Sequence, residues 1–167
     1  GPQKELNACN AAMELRSAMM QEKEIRQQNN LPVVSIGIGI NTGDVVFGSV
    51  GAQDRKDFTS IGDTVNLAAR LEGANKAYGS KSLITEAVYN KVKNDFICRE
   101  LDLITVKGKT KPVKIYEILQ SSKKSTDKII QIKTLFETGL AHYRNRDWKK
   151  AESFFAKNVD LYKDEPS

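Results

Sequence analysis

The sequence predicts an α+β fold on three observations: a helical hydrophobic period over residues 5–28, a change to period two from Val33, and a second helical period over residues 63–77 between strand-like stretches. In the first helix, Ala8, Ala12, Leu15 and Met19 fall at intervals of three and four, and Asn29-Asn30 with Pro32 end it. Beyond it, Val34, Ile36, Ile38 and Ile40 alternate with Ser35, Gly37, Gly39 and Asn41, a strand with one bulky face and one nearly bare face that something can approach closely. Asn41-Thr42-Gly43-Asp44 is a turn signal, so residues 45–50 read as the returning strand of a β-hairpin, and residues 51–60 read as a polar loop.

Gly62-Asp63-Thr64 opens the next helix. Its expected buried residues are Val65, Ala68, Leu71 and Ala74, Gly79 suits its C-terminal cap, and Asp63 suits the positive end of its dipole. Leu83-Ile84 is a short apolar strand, a helix runs from Thr85-Glu86 through Val92, and residues 96–106 and 113–119 read as strands joined by a Lys-rich turn. This order implies helices covering one side of a mainly antiparallel sheet. Residues 120–127 are polar and without period, a linker. Two helical stripes follow: Ile129, Ile132, Leu135, Phe136, Leu140 and Tyr143, then Trp148, Ala151, Phe154, Phe155, Val159 and Tyr162.

Composition narrows the class. At 167 residues, 40% hydrophobic and 28% charged, the chain reads as a soluble globular protein of one or two small domains. No stretch approaches the roughly 20 apolar residues of a membrane span, and the N-terminus has no signal-peptide core. Cys9 and Cys98 sit in no metal-ligand or redox spacing, which fits reduced, packed thiols and a cytoplasmic location. The net charge of +5 arises from Lys and Arg scattered among nearly as many acids, with no interleaved stacking aromatics, so nucleic acid is not the expected partner.

Three glycine patterns fail as nucleotide motifs. Gly37-x-Gly39 is followed by glycine at 43 and lies in a strand, Gly43-x-x-x-x-Gly48 is followed by Ser49 instead of Lys, and Gly108-Lys109-Thr110 has Leu103 where a phosphate loop needs its first glycine. Gly37, Gly39, Gly43, Gly48 and Gly51 serve either tight packing and turns or a ligand-facing surface, and the two readings are compatible. Asn66 and Arg70 stand four residues apart on one helix face, where an amide and a planar guanidinium can hold a ribose and a phosphate together. His142, the single histidine, lies in the tail helices away from this pair.

Residues 37–51 (GIGINTGDVVFGSVG), 57–72 (DFTSIGDTVNLAARLE) and 99–119 (RELDLITVKGKTKPVKIYEIL) each resemble matching segments of class III adenylyl and guanylyl cyclases, in the family's order and spacing. The resemblance implies a ferredoxin-like cyclase sheet lacking its N-terminal strands. It divides the chain into a partial catalytic domain over residues 1–119, a linker over 120–127 and a helical hairpin over 128–167. That hairpin resembles one tetratricopeptide repeat at Gly139, Ala151 and Phe155, with Asn158 at a position usually small and apolar. A single repeat cannot bury its own face, so it either packs on the sheet or begins a longer array that binds a protein partner.

Position by position, the resemblance assigns Asn66 to the ribose, Arg70 to the phosphoryl oxygens in flight, Lys107 to the leaving phosphates and Thr59 to the purine. A hydroxyl at position 59 favours ATP over GTP as substrate; guanylate cyclase is the alternative. Family members act as dimers and hold two Mg or Mn ions with two aspartates that lie N-terminal to the first helix of this chain. No segment here resembles those motifs, and Asp54, Asp57 and Asp63 fall in a loop the family uses otherwise. The expectation is a piece of an adenylate cyclase, homodimeric in the parent protein, that holds no metal itself and is inactive alone. A regulatory or interaction module built on a degenerate cyclase domain is the reading of a different class.

Overall fold

A computed structural model describes the backbone of residues 1–52, 55–105 and 112–163, with side chains for all of these except 49–52, 55–59, 61 and 163. The elements run in order α1 (Lys4–Gln28), β1 (Ile38–Ile40), β2 (Val46–Ala52), β3 (Arg55–Ile61), α2 (Asp63–Tyr78), β4 (Ser82–Thr85), α3 (Glu86–Val92), β5 (Phe96–Ile104), β6 (Val113–Ser121), α4 (Asp127–Arg144) and α5 (Trp148–Lys163). One sheet has the order β1-β4-β6-β5, with β1 parallel to β4 and the other pairs antiparallel; β2 and β3 form a separate antiparallel ribbon. The α+β class holds.

The predicted hairpin is corrected. β1 does not pair with β2: three residues of β1 run parallel to β4, from Ile38 opposite Ser82 to Ile40 opposite Ile84. β2 instead pairs with β3, from Val46 opposite Ile61 to Ala52 opposite Arg55, so most of the expected polar loop is strand. The charges at 54–57 hid the strand-forming run Phe58-Thr59-Ser60-Ile61. Upstream, residues 33–37 are not in a strand, and Val33 and Val34 are exposed. Gln120 and Ser121 continue β6 and residues 122–124 form one 3₁₀ turn, so the expected linker is partly ordered.

Helices lie on both faces of the four-stranded sheet, not on one. Adjacent residues of β6 show it, since consecutive side chains of a strand point to opposite faces. Tyr116 and Ile118 pack with Cys9, Ile84, Val88, Val92 and Cys98 beneath α1 and α3. Ile115 packs with Leu71, Leu83, Leu101 and Phe136 beneath α2 and α4, and Leu119 packs with Ile129 and Ile132. Residues 115–119 of the central strand β6 are therefore buried without a break, the charged Glu117 among them, and all four residues of β4 are buried. The buried stripe of α1 is Cys9 and Ala12, with Leu6 and Met13 beside them; Leu15, expected to face inward, is exposed.

The helical hairpin packs on the sheet. Arg99 of β5 and Glu117 of β6 form a buried ion pair at 2.7 Å, and the Arg99 guanidinium lies over the rings of Phe136 and Tyr162 at 4.6 and 4.9 Å. Asn158 is buried because its Oδ1 faces Arg99 and its Nδ2 donates to the Ile132 carbonyl. Between the two helices, a Cβ at Gly139 would lie 2.8 Å from the Phe155 ring, so the small residue sets their close approach. Tyr143, Trp148 and Val159, expected on the apolar stripes, are exposed.

Candidate active site

Helix α2 carries the residue pair, and β1 determines how it sits. A Cβ placed on Gly39 would lie 2.2 Å from the Ala68 carbonyl and 2.4 Å from the Glu72 nitrogen, and one on Gly37 would lie 2.8 Å from the Glu72 carbonyl. The bare face of the strand is thus covered by helix backbone, and the packing role of these glycines is the one the geometry supports. At the start of α2, Gly62 has φ +151, a conformation that side chains disfavour, and its carbonyl accepts from the Val65 and Asn66 amides, both at 3.1 Å. At the other end Gly79 caps the helix in the left-handed conformation, as expected.

The face of α2 against the sheet is Leu67, Leu71 and Asn75; Val65, Ala68 and Ala74 are half-buried. Asn75 donates from Nδ2 to the Ile38 carbonyl of β1 at 3.0 Å and to the Leu71 and Glu72 carbonyls, while its Oδ1 accepts from Ser80 Oγ. Tyr78, near the end of the helix, donates to Asp102 Oδ2 of β5 at 2.7 Å; burial first and this acceptor second push its pKa up to about 12.

Asn66 and Arg70 both lie on the exposed side, and neither side chain has a hydrogen-bond or ion-pair partner among the described residues. A guanidinium with five donors and an amide one turn away are thus presented together to whatever binds there. Thr59 is a β3 residue opposite Gly48, but its side chain lies outside the described ones, and Lys107 lies outside the described residues altogether. Among the described residues no three His, Cys, Asp or Glu side chains form a group that could hold a metal ion, and no helix is long and apolar enough to cross a membrane. His142 stacks on Phe154 in the tail.

Sequence reasoning missed Asn41 and Asn75, whose amides donate to the Thr64 carbonyl of α2 and the Ile38 carbonyl of β1. Asn41 was legible only as part of a turn, and the one signal for Asn75 was a polar residue four positions after Leu71 on the buried stripe.

The sequence model of the adenylate and guanylate cyclase catalytic domain matches residues 2–120, and the chain belongs to that family. It is 33% identical over 162 residues to a terminal-differentiation-specific adenylate cyclase of Dictyostelium discoideum, a match covering 87% of this chain, and so running past residue 120, but 8% of that protein. It is 41% identical over 118 residues to an adenylate cyclase of Anabaena cylindrica, covering 66% of this chain and 24% of that one. The chain therefore spans a quarter or less of these relatives' length. Among solved structures, the adenylyl cyclase CyaB from P. aeruginosa aligns with TM-score 0.56 at 34% identity, over 71% of this chain and 61% of that one. The guanylate cyclase domain of RhGC from Catenaria anguillulae, solved with GTP, aligns with TM-score 0.58 at 26% identity, over 73% and 63%.

Proposed function

We propose that this chain supplies the transition-state half of an adenylate cyclase site, with Asn66 and Arg70 as its working residues. The observation that carries the reading is their position one turn apart on the open face of α2, whose opposite face rests directly on β1. In the reaction the ribose 3′-oxygen attacks the α-phosphorus of ATP, the bond to the bridging oxygen breaks, and pyrophosphate leaves with the bond electrons. Negative charge builds on the phosphoryl oxygens during transfer, and Arg70 offers them a permanently charged planar fork. Asn66 hydrogen-bonds the ribose and sets the angle of attack. Thr59 is assigned to the adenine and Lys107 to the leaving phosphates.

The described residues hold no group of three His, Cys, Asp or Glu side chains that could bind a metal ion; the Mg or Mn ions of the reaction are assigned to the metal-bearing half of a second chain across a dimer interface. That these relatives are adenylate cyclases by name supports ATP over GTP as the substrate here. Two buried, unpaired thiols fit a reducing compartment, the cytoplasm.

The test mixes this chain with a cyclase chain that has the metal aspartates but no working Arg. Cyclic AMP is expected from the mixture with ATP and manganese, with little from either chain alone or from GTP. Arg70→Ala is expected to reduce the rate at least about 100-fold, while changing unfolding free energy by less than about 0.5 kcal/mol, because the side chain is exposed. Product from this chain alone would overturn the division of the site between chains.

A further inference from the structure

The C-terminal end of β1 is a polar junction between three helices. Asn41 Nδ2 donates to the Thr64 carbonyl at 3.0 Å, and Asn41 Oδ1 accepts from Thr85 Oγ1 at 2.7 Å. The next residue, Thr42, donates from Oγ1 to Glu5 Oε1 at 2.7 Å, and this bond holds the Glu5 carboxyl below the usual carboxylate range. Thr64 lies in the first turn of α2, Thr85 joins β4 to α3, and Glu5 lies in the first turn of α1. Gly43 continues the contact, since a Cβ there would lie 2.8 Å from Thr64 Oγ1.

The glycine contact sets how close α2 comes to β1, and buried Leu67 and Leu71 fix which face it turns to the sheet, but neither contact is directional enough to hold the helix against a small turn about its own axis. Hydrogen bonds at two separated points do resist it. Asn75 supplies one near the C-terminal end, to Ile38, and Asn41 supplies the other at the first turn, two residues before Asn66. Turning α2 would move Asn66 and Arg70 together, and a misplacement of about 1 Å costs about 100-fold in rate. We infer that Asn41 is a positioning residue for the cyclisation, holding the first turn of α2 and through it the aim of Asn66 and Arg70. The inference rests on the assignment of those two residues to ribose and phosphate.

Two substitutions separate the two bonds of Asn41. Asn41→Asp keeps an acceptor for Thr85 but puts a carboxylate oxygen against the Thr64 carbonyl; Thr85→Val removes the other bond and leaves the Thr64 bond in place. In the mixed complex, Asn41→Asp is expected to lower kcat about tenfold with KM for ATP changed less than about twofold, and Thr85→Val to leave kcat within about twofold. In this chain alone, Asn41→Asp is expected to speed hydrogen exchange of the Asn66 amide about tenfold, and Thr85→Val to leave it unchanged. Equal kcat losses in the two variants, an unchanged kcat in Asn41→Asp, or a change confined to KM overturns the inference. Exchange at Asn66 that ignores Asn41→Asp overturns it whatever the activity. A complex of unmutated chains that makes no cyclic AMP overturns instead the assignment of Asn66 and Arg70.

Discussion

On one face of the four-stranded sheet, α2 is held to β1 by bare glycines and neutral amides, whereas α4 and α5 are held to β5 and β6 by a buried charge between aromatic rings. In the first region the glycines let helix backbone and the bases of Leu71 and Asn75 come directly against the strand, so the distance is set by hard-sphere limits and the outer side of α2 is left to Asn66 and Arg70. In the second, large side chains fill the gap, and the stability of the contact depends on a desolvated ion pair whose partners need each other. Glu117 Oε1 has no hydrogen-bond partner among the described residues, which makes its dependence on Arg99 greater. A contact made of backbone is suited to placing a reacting group; a contact made of a buried pair is suited to making two layers stand or fall together.

Removing the charge should have the largest effect. Arg99→Ala leaves Glu117 buried without its counter-charge and is expected to cost about 3–5 kcal/mol in urea unfolding. The double change Arg99→Met with Glu117→Leu should recover most of that. A single-variant cost under about 1 kcal/mol would end the distinction between the two regions. Next comes Gly39→Ala, expected to cost about 3 kcal/mol because the added carbon meets helix backbone that cannot rotate away. Gly73→Ala, on the exposed side of the same helix with nothing within 4 Å, sharpens the point by raising stability about 0.5–1 kcal/mol.

Thr126, whose side chain accepts from the Ile129 amide at the start of α4, contributes a smaller amount: Thr126→Ala should lower stability by about 1 kcal/mol. The smallest effect is alkaline. Tyr78, which ties α2 to β5, holds its proton to about pH 12, whereas an unfolded tyrosine releases it near pH 10. Its contribution is therefore complete below pH 10 and is lost as the pH rises toward 12. Tyr78→Phe should flatten the fall in unfolding free energy over that range, and an unchanged slope would remove Tyr78 as a link between the layers.

Much of this was legible from local pattern. The helix limits of α1, α2 and α3, the strands β4, β5 and β6 and the tail helices follow from period, glycine caps and turn residues, and the Asn66 and Arg70 pairing follows from helical spacing alone. Pairing was not legible. Residues 38–40 and 46–52 look like a hairpin because a turn signal separates them, yet each pairs elsewhere, since register is decided by which partner edge and which apolar face are available.

The sequence by itself determined the helices and the strands β4, β5 and β6 and placed an amide and a guanidinium on one helix face, because spacing along a helix is a property of the chain alone. The tertiary structure decided what the bare strand face receives, why Asn41 and Asn75 are polar, and how a buried Arg99 is compensated. Those are contacts between residues 18 to 59 positions apart, and no local pattern contains them.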